Sequence, residues 1–352
     1  MSQNWNDFLT AQQISINNGI ASTGRSAAEE AHATADHTII SPLTHMGTIQ
    51  ATGNDHRSFL QGQLSNDVNN ITPSTSIIAA YCNPKGRMLA DFRIIETSAG
   101  LQLHCYADIL TNVLNRLKMF VLMSEVELED ISNAIQCIGI AGNDSEALLG
   151  QHVSSVPTEV NDVTEVSGCH IIRLAGSPAR FMISGSVETL IPLWEKLAQD
   201  TTIVGTETWN LGDIYSASPH VEAATVETFI PQMLNLHAID GVSFTKGCYP
   251  GQEIVARMRY LGKLKRRMFR LHIDAASAPA VGDDVVSGAS QSGQGAGKLV
   301  TVSASPAGGY EALAVLEITA AESGDIALKN TDDAKISILS IPYEVPVEKD
   351  AS

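Results

Sequence analysis

Positive charge is what this chain has least of: 22 Lys and Arg stand against 39 Asp and Glu, a formal net charge of −17 over 352 residues. Coating a nucleic acid takes clustered cations that displace counterions, so this balance argues against a general polyanion-binding role. Long apolar runs are missing too. None approaches the ~18 residues of a membrane span, yet hydrophobic residues make up 44% of the chain, enough for roughly two or three packed domains. The opening Met1-Ser-Gln-Asn-Trp-Asn-Asp7 carries neither a basic n-region nor an apolar h-region, so the expectation is a soluble, cytoplasmic protein with no membrane partner.

Cysteine is sparse as well. Cys82, Cys105, Cys137, Cys169 and Cys248 are odd in number, widely spaced and without a C-x-x-C pair, which speaks against a disulfide framework, a zinc site or a cluster held by this chain alone. No His-x-x-x-His pair exists, so no metal site is expected, and His45, His56, His104 and His237 read as hydrogen-bonded structural or surface residues. Gly293-Gln-Gly-Ala-Gly-Lys298 resembles a phosphate loop, but Ser292 and Leu299 stand where Gly and Ser or Thr are required, leaving a hairpin loop. No Gly-x-Gly-x-x-Gly joins a strand to a helix, so a dinucleotide fold has no support. Cys105, Cys137 and Cys169 lie in or beside alternating apolar stretches and read as buried, inert thiols, while Cys82 before a polar turn is open to either reading.

Cys248 is different. It sits in Lys246-Gly-Cys-Tyr-Pro-Gly-Gln-Glu253, among Lys, Gly and Pro rather than strand residues. Gly247 and Pro250-Gly251 mark a turn, and Gln252 to Met258 reads as a short helix with Glu253 in its first turn. A nearby ammonium and a helix N-terminus both favour the thiolate, so Lys246 and Cys248 together predict a reactive cysteine on an accessible loop. Eight of the 22 basic residues fall between positions 246 and 270 with Glu253 as the single acid, locally +7 by eight minus one. That cluster is either a solvated basic face or an electropositive wall that holds an anion beside the thiol.

Residues 1–38 are polar with weak periodicity and predict a helical or loosely ordered arm. A first α+β unit over 39–132 contains a strand near 48–52, a helix near 56–64, a hairpin of 77–82 and 88–96, a strand at 101–106 and an amphipathic helix over 109–123. A second α+β unit over 133–205 has strands at 135–141, 170–174 and 180–184 and a helix near 187–198. The segment 206–264 carries the cysteine loop and completes the first unit, and 265–345 is all β, consistent with a small barrel. Asp91 lies on the hairpin's second strand among Leu89, Phe92 and Ile94 and faces either solvent or a cavity, where it needs a partner. Trp209, one of three tryptophans, reads by itself as a core or lid aromatic.

The cysteine loop resembles the hallmark of the YgfZ family, folate-binding proteins of iron-sulfur cluster maintenance and tRNA modification related to the glycine cleavage T-protein, an aminomethyltransferase. Phe59-Leu-Gln-Gly-Gln-Leu-Ser-Asn-Asp67, Asn83-Pro-Lys-Gly-Arg87 with Asp91, and Phe229-Ile-Pro-Gln-Met-Leu-Asn235 are similar to the family's other segments and occur in its order. The resemblance implies a three-domain, T-protein-like ring around a central channel with a C-terminal β-barrel, and tetrahydrofolate as the cofactor. It places Asp91 in the cavity and matches Trp209 and Met46 to two tryptophans that flank the folate in bacterial relatives. Cys248, Lys246 and Asp91 become the reactive set, and Trp209, Met46, Tyr249, Gln252, Glu253 and Arg257 the folate-contacting or loop-shaping set.

The activity implied is that of an auxiliary factor for assembling or repairing iron-sulfur clusters in client enzymes, including those that thiomethylate tRNA, with folate and cluster-client or assembly proteins as partners. Direct tRNA contact through the basic segment is the lesser expectation. T-proteins carry two adjacent acids on the hairpin where this chain has Ala90-Asp91, and one lost acid removes the coupling that tunes the other. A folate-dependent one-carbon transferase or demethylase is therefore the alternative, and an accessory protein the primary reading.

Overall fold

The computed structural model describes residues 4–260, 264–290, 295–331 and 333–346. Three larger sheets, each with its own apolar cluster, and one two-stranded sheet organise the chain. The elements of the first 132 residues are α1 (Trp5–Ala11), β1 (Ser15–Asn17), β2 (Ile20–Ser22), α2 (Ala27–Asp36), β3 (Ile39–Pro42), β4 (Met46–Thr52), α3 (His56–Gln61), β5 (Ile77–Cys82), β6 (Met88–Thr97), β7 (Gly100–Tyr106), α4 (Ala107–Lys118) and β8 (Glu127–Asp130). The first sheet has the order β5-β6-β7-β4-β8. The α4 residues Ile109, Leu110, Val113, Leu114 and Leu117 recur at helical spacing and are buried against it.

The second unit adds β9 (Ile135–Ala141), α5 (Ser145–His152), β10 (Val163–Val166), β11 (Cys169–Leu174), β12 (Arg180–Ser186), α6 (Val187–Leu197), β13 (Thr202–Ile203) and α7 (Thr206–Ser216). Its sheet runs β10-β11-β12-β9-β3-β13, so β3, assigned by sequence to the first unit, pairs with β9 in the second. Residues 4–38 form more than an arm. Trp5, Phe8, Leu9 and Ile14 pack with Trp194 and Phe181 in the second core, and burying side chains of this size stabilises by about 1.5–3 kcal/mol each. Ser26 and Glu29 cap α2 reciprocally, which sets where that helix starts. Weak periodicity hid these anchors because the apolar residues sit on short elements.

The remainder contains α8 (Gln252–Tyr260), β14 (Arg266–Asp274), β15 (Asp284–Val286), β16 (Gly297–Ala304), β17 (Tyr310–Glu317), α9 (Ile318–Ser323), β18 (Ala327–Leu328) and β19 (Lys335–Leu339). The order β18-β15-β16-β17-β14-β19 curls into a half-barrel whose end strands are not paired with each other among the described residues. Of the glycine-rich hairpin loop expected at 293–298, Gly293 and Gln294 lie outside the described residues, as does Lys263 of the basic cluster. A fourth apolar cluster, including Leu43, Ile95, Cys137, Met182 and Trp209, bridges the first two sheets and walls the site described next. Among the described residues, no helix is long and apolar enough to cross a membrane.

Candidate functional site

Where the first two sheets meet α7, a cavity of about 680 Å³, counted out to its open mouth, is lined by Met46 from β4, Asp91 and Arg93 from β6, His104 from β7, Arg180 from β12, and Trp209 and Asp213 from α7. Strand alternation explains why Asp91 and Arg93 face the same way, while Ala90 belongs to the first apolar cluster. Asp91 is buried at 6% exposure, and each of its oxygens has one partner. Its Oδ1 accepts the Val221 backbone N–H at 2.7 Å, and its Oδ2 lies 2.8 Å from His220 Nδ1. Arg93, two residues further along the strand, donates to Ser76 and Asn161 instead.

His220, which sequence reasoning passed over, joins two acids. Its Nε2 is 3.9 Å from Asp213 Oδ2, and Asp213 is paired with Arg180 at 2.9 Å. Burial pushes the His220 imidazole down, but the charge and hydrogen bond of Asp91, aided by Asp213, outweigh it and raise its pKa overall. Tyr106 lies against the ring at 5.2 Å and also meets His45 at 5.1 Å between centroids. The second carboxylate of the cavity thus comes from α7 rather than from position 90. The signal was faint: a histidine in the Ser218-Pro219-His220 loop, 11 residues after Trp209, bonded to a strand 129 positions away.

Trp209 forms a wall of this cavity and of a second hollow that also contains Thr34, Pro178 and Tyr215. The Arg180 guanidinium stacks over its ring at 4.6 Å. Glycine makes this stack fit: a methyl on Gly139 would run into the indole, and one on Gly212 into the Arg180 guanidinium. Three polar atoms of cavity-lining residues, His45 Nδ1, His104 Nε2 and Arg180 Nε, are buried with no hydrogen-bond partner. Burial pushes His45 down to about 4 and His104 to about 3, so both are neutral rings at pH 7. A flat aromatic wall, a carboxylate with remaining lone pairs and unpartnered ring nitrogens fit a heteroaromatic ligand with a polar edge, as a reduced pterin is.

The cysteine loop occupies a different place. Cys248 is exposed, as the sequence predicted for its loop, whereas the other four cysteines are buried. Burial raises Cys82 and Cys137 to about 12 and also raises Cys105 and Cys169. Lys246 differs from expectation. Its ammonium donates to the carbonyls of Gln61, Leu64 and Asn66 at 2.6, 2.7 and 2.8 Å, which uses all three of its protons and leaves none for the Cys248 sulfur. Burial pushes its pKa down to about 8 against the pull of Asp67. The residue therefore pins the loop to the turn after α3.

Tyr249, buried beside Cys82 and stacked under the Lys246 ammonium at 5.4 Å, completes that anchor. Gln252, Glu253 and Arg257 belong to α8, which packs on the Asn83–Arg87 turn through Ile254 and accepts a hydrogen bond from Gln232 at the Val255 carbonyl. None of Lys246, Cys248, Tyr249, Gln252, Glu253 and Arg257 lines the cavity, whereas Met46, Asp91 and Trp209 do. The predicted residues thus fall into two groups, because the loop is carried on the hairpin's turn and Asp91 on its strand.

The chain resembles proteins of known family. The GCVT N-terminal domain matches residues 6–187. The tRNA-modifying protein YgfZ of Colwellia psychrerythraea is 38% identical over 250 residues, 71% of this chain and 76% of that protein. The YgfZ protein of Yersinia pestis (strain Pestoides F) is 31% identical over 314 residues, 89% of this chain and 94% of its own. The glycine cleavage system aminomethyltransferase T from Bartonella henselae superposes with a TM-score of 0.75 at 14% identity, covering 97% of this chain and 98% of that one, so the T-protein fold is shared. With more than half its length matched by that domain and most of it by these relatives, the chain belongs to the GCVT N-terminal domain family and, within it, to the YgfZ proteins.

Proposed function

We propose that this protein is a tetrahydrofolate-binding auxiliary factor in tRNA modification, acting in the assembly or repair of iron-sulfur clusters in client enzymes such as those that thiomethylate tRNA. The tRNA connection rests on the relatives named tRNA-modifying proteins. The observation that carries the folate reading is the convergence of Asp91, Trp209 and Met46, from three separate elements, on one cavity with unpartnered polar nitrogens. Trp209 and Met46 would hold the ring system, and Asp91 and His45 its polar edge. A bound reduced folate would supply one-carbon or reducing chemistry at that point, while this chain's side chains orient it and exclude water.

Cys248 is the accessible thiol that meets the client. Lys246 holds the loop still by three hydrogen bonds, so the sulfur is presented at a fixed place on the surface. Ala90 in the first apolar cluster disfavours ordinary aminomethyl transfer by an adjacent acid pair. The test is twofold: titration of the purified protein with tetrahydrofolate, and tRNA thiomethylation in cells carrying Cys248→Ala. Saturable binding, together with loss of thiomethylation under oxidative stress, supports the reading. No binding removes the cofactor, and unchanged thiomethylation removes the thiol.

A further inference from the structure

We propose that His220 is the proton-accepting group of the cavity, oriented by Asp91 so that its Nε2 faces the bound ligand. The proposal rests on reading the cavity as the ligand site, and it goes beyond that reading by assigning proton transfer to a residue outside the family resemblance. Three observations carry it. The Nδ1 atom lies 2.8 Å from Asp91 Oδ2, a distance that fixes the proton on Nδ1 because an ionised carboxylate only accepts. The opposite nitrogen is 3.9 Å from Asp213 Oδ2, too far for a hydrogen bond and near enough to stabilise an imidazolium. The side chain keeps 26% of its surface accessible although it is flanked on both sides, and it lines the cavity. Carboxylate, imidazole and open nitrogen in a row form the orienting half of a catalytic triad.

The step is a plain proton transfer. The Nε2 lone pair takes a proton from a nitrogen acid of the bound ligand, the electron pair of the broken N–H bond stays on that nitrogen, and the new imidazolium is held by Asp91 at Nδ1 with Asp213 near Nε2. The groups that face or flank His220 are Asp91 and Arg93 from β6, Asp213 from α7, Arg180 from β12, Tyr106 from the end of β7, His45 before β4, and Glu222 on its own loop, with Asp108 from α4 acting on Glu222. Asp91 and Asp213 pull the proton on, and Arg93 pushes it off. Glu222 is raised to about 7, chiefly by burial and then by Asp108. It is therefore largely neutral only well below pH 7, where it adds little charge.

Two measurements on the full chain decide the matter. In the ¹⁵N spectrum of the imidazoles, with His220 assigned by its loss in His220→Gln, the neutral ring should be the Nδ1–H tautomer. An Nε2–H tautomer overturns the proposal whether or not folate binds. In calorimetric titration with tetrahydrofolate in two buffers of different ionisation enthalpy, protons exchanged per ligand should vary with pH in step with the His220 titration. His220→Gln should abolish that variation while weakening affinity by no more than about tenfold, the worth of one hydrogen bond. Proton exchange that persists in His220→Gln overturns it. If tetrahydrofolate fails to bind the unaltered protein while His220 shows the Nδ1–H tautomer, the folate reading falls and the oriented base stands for another ligand.

Discussion

The cavity and the cysteine loop hold the same kinds of polar side chain in opposite settings. In the cavity, Asp91, Asp213, Arg180 and His220 are packed so closely that each answers another within 4 Å. On the loop, Cys248 stands in solvent while its neighbours Lys246 and Tyr249 are buried to anchor it. The first arrangement fixes charge and proton positions, as a ligand site requires. The second fixes only the backbone, which leaves the sulfur accessible. A fold that needs both must tie the loop down without enclosing its thiol, and the three carbonyls gripping Lys246 do that.

Substitutions separate the two regions by size of effect. Arg180→Leu should cost the most, about 3–5 kcal/mol in chemical denaturation, because it strands Asp213 in the interior without its partner. Acid should reveal the next largest effect. His45 and His104 titrate at about 4 and about 3 in the folded protein, against ~6.5 in the unfolded chain. Between those values the unfolded state binds protons that the folded state refuses, so stability falls as pH drops below ~6.5, by on the order of 3–5 kcal/mol for each histidine. A His104→Asn variant should show a shallower acid limb whatever its stability at pH 8, and an unchanged limb would contradict the assignment.

Lys246→Met removes three hydrogen bonds and leaves their carbonyls unmatched, so a loss of about 2 kcal/mol is expected, with faster protease cleavage near Gly247. If Lys246 served the thiol instead of the backbone, stability would be untouched and only the alkylation rate of Cys248 would change. Cys248→Ala should be the mildest in stability, within ~0.5 kcal/mol, since the residue is exposed. In the native protein one thiol should react promptly with a disulfide reagent and the other four only on unfolding. A second fast thiol would mean that a buried cysteine is less enclosed than its packing indicates.

Much of this was legible in the residues. The hairpin of Ile77–Cys82 and Met88–Thr97 was placed by two β-branched and apolar runs around Pro-Lys-Gly-Arg, and the helix after Pro250-Gly251 by its turn signals. Both are local patterns, and local patterns survive without a fold. What escaped depends on distant contacts. Nothing near Lys246 shows that its ammonium reaches the turn after α3, more than 180 positions away. Nothing near His220 shows that Asp91 and Asp213 close around it, and the docking of Trp5 and Phe8 onto Trp194 is likewise invisible until the second sheet is assembled. The family resemblance grouped Cys248 with Asp91 in one reactive set, whereas Asp91 lines the cavity and Cys248 does not.

The most direct test is a tetrahydrofolate titration followed by tryptophan fluorescence, comparing the protein with Trp209→Leu. Trp5 and Trp194 lie together in the second core, so a ligand in the cavity should report through Trp209. Saturable quenching at one ligand per chain that is lost in the variant, with calorimetry showing affinity at least about tenfold weaker there, is the predicted result. Equal affinity in both proteins, or no binding in either, would contradict the placement of folate against Trp209.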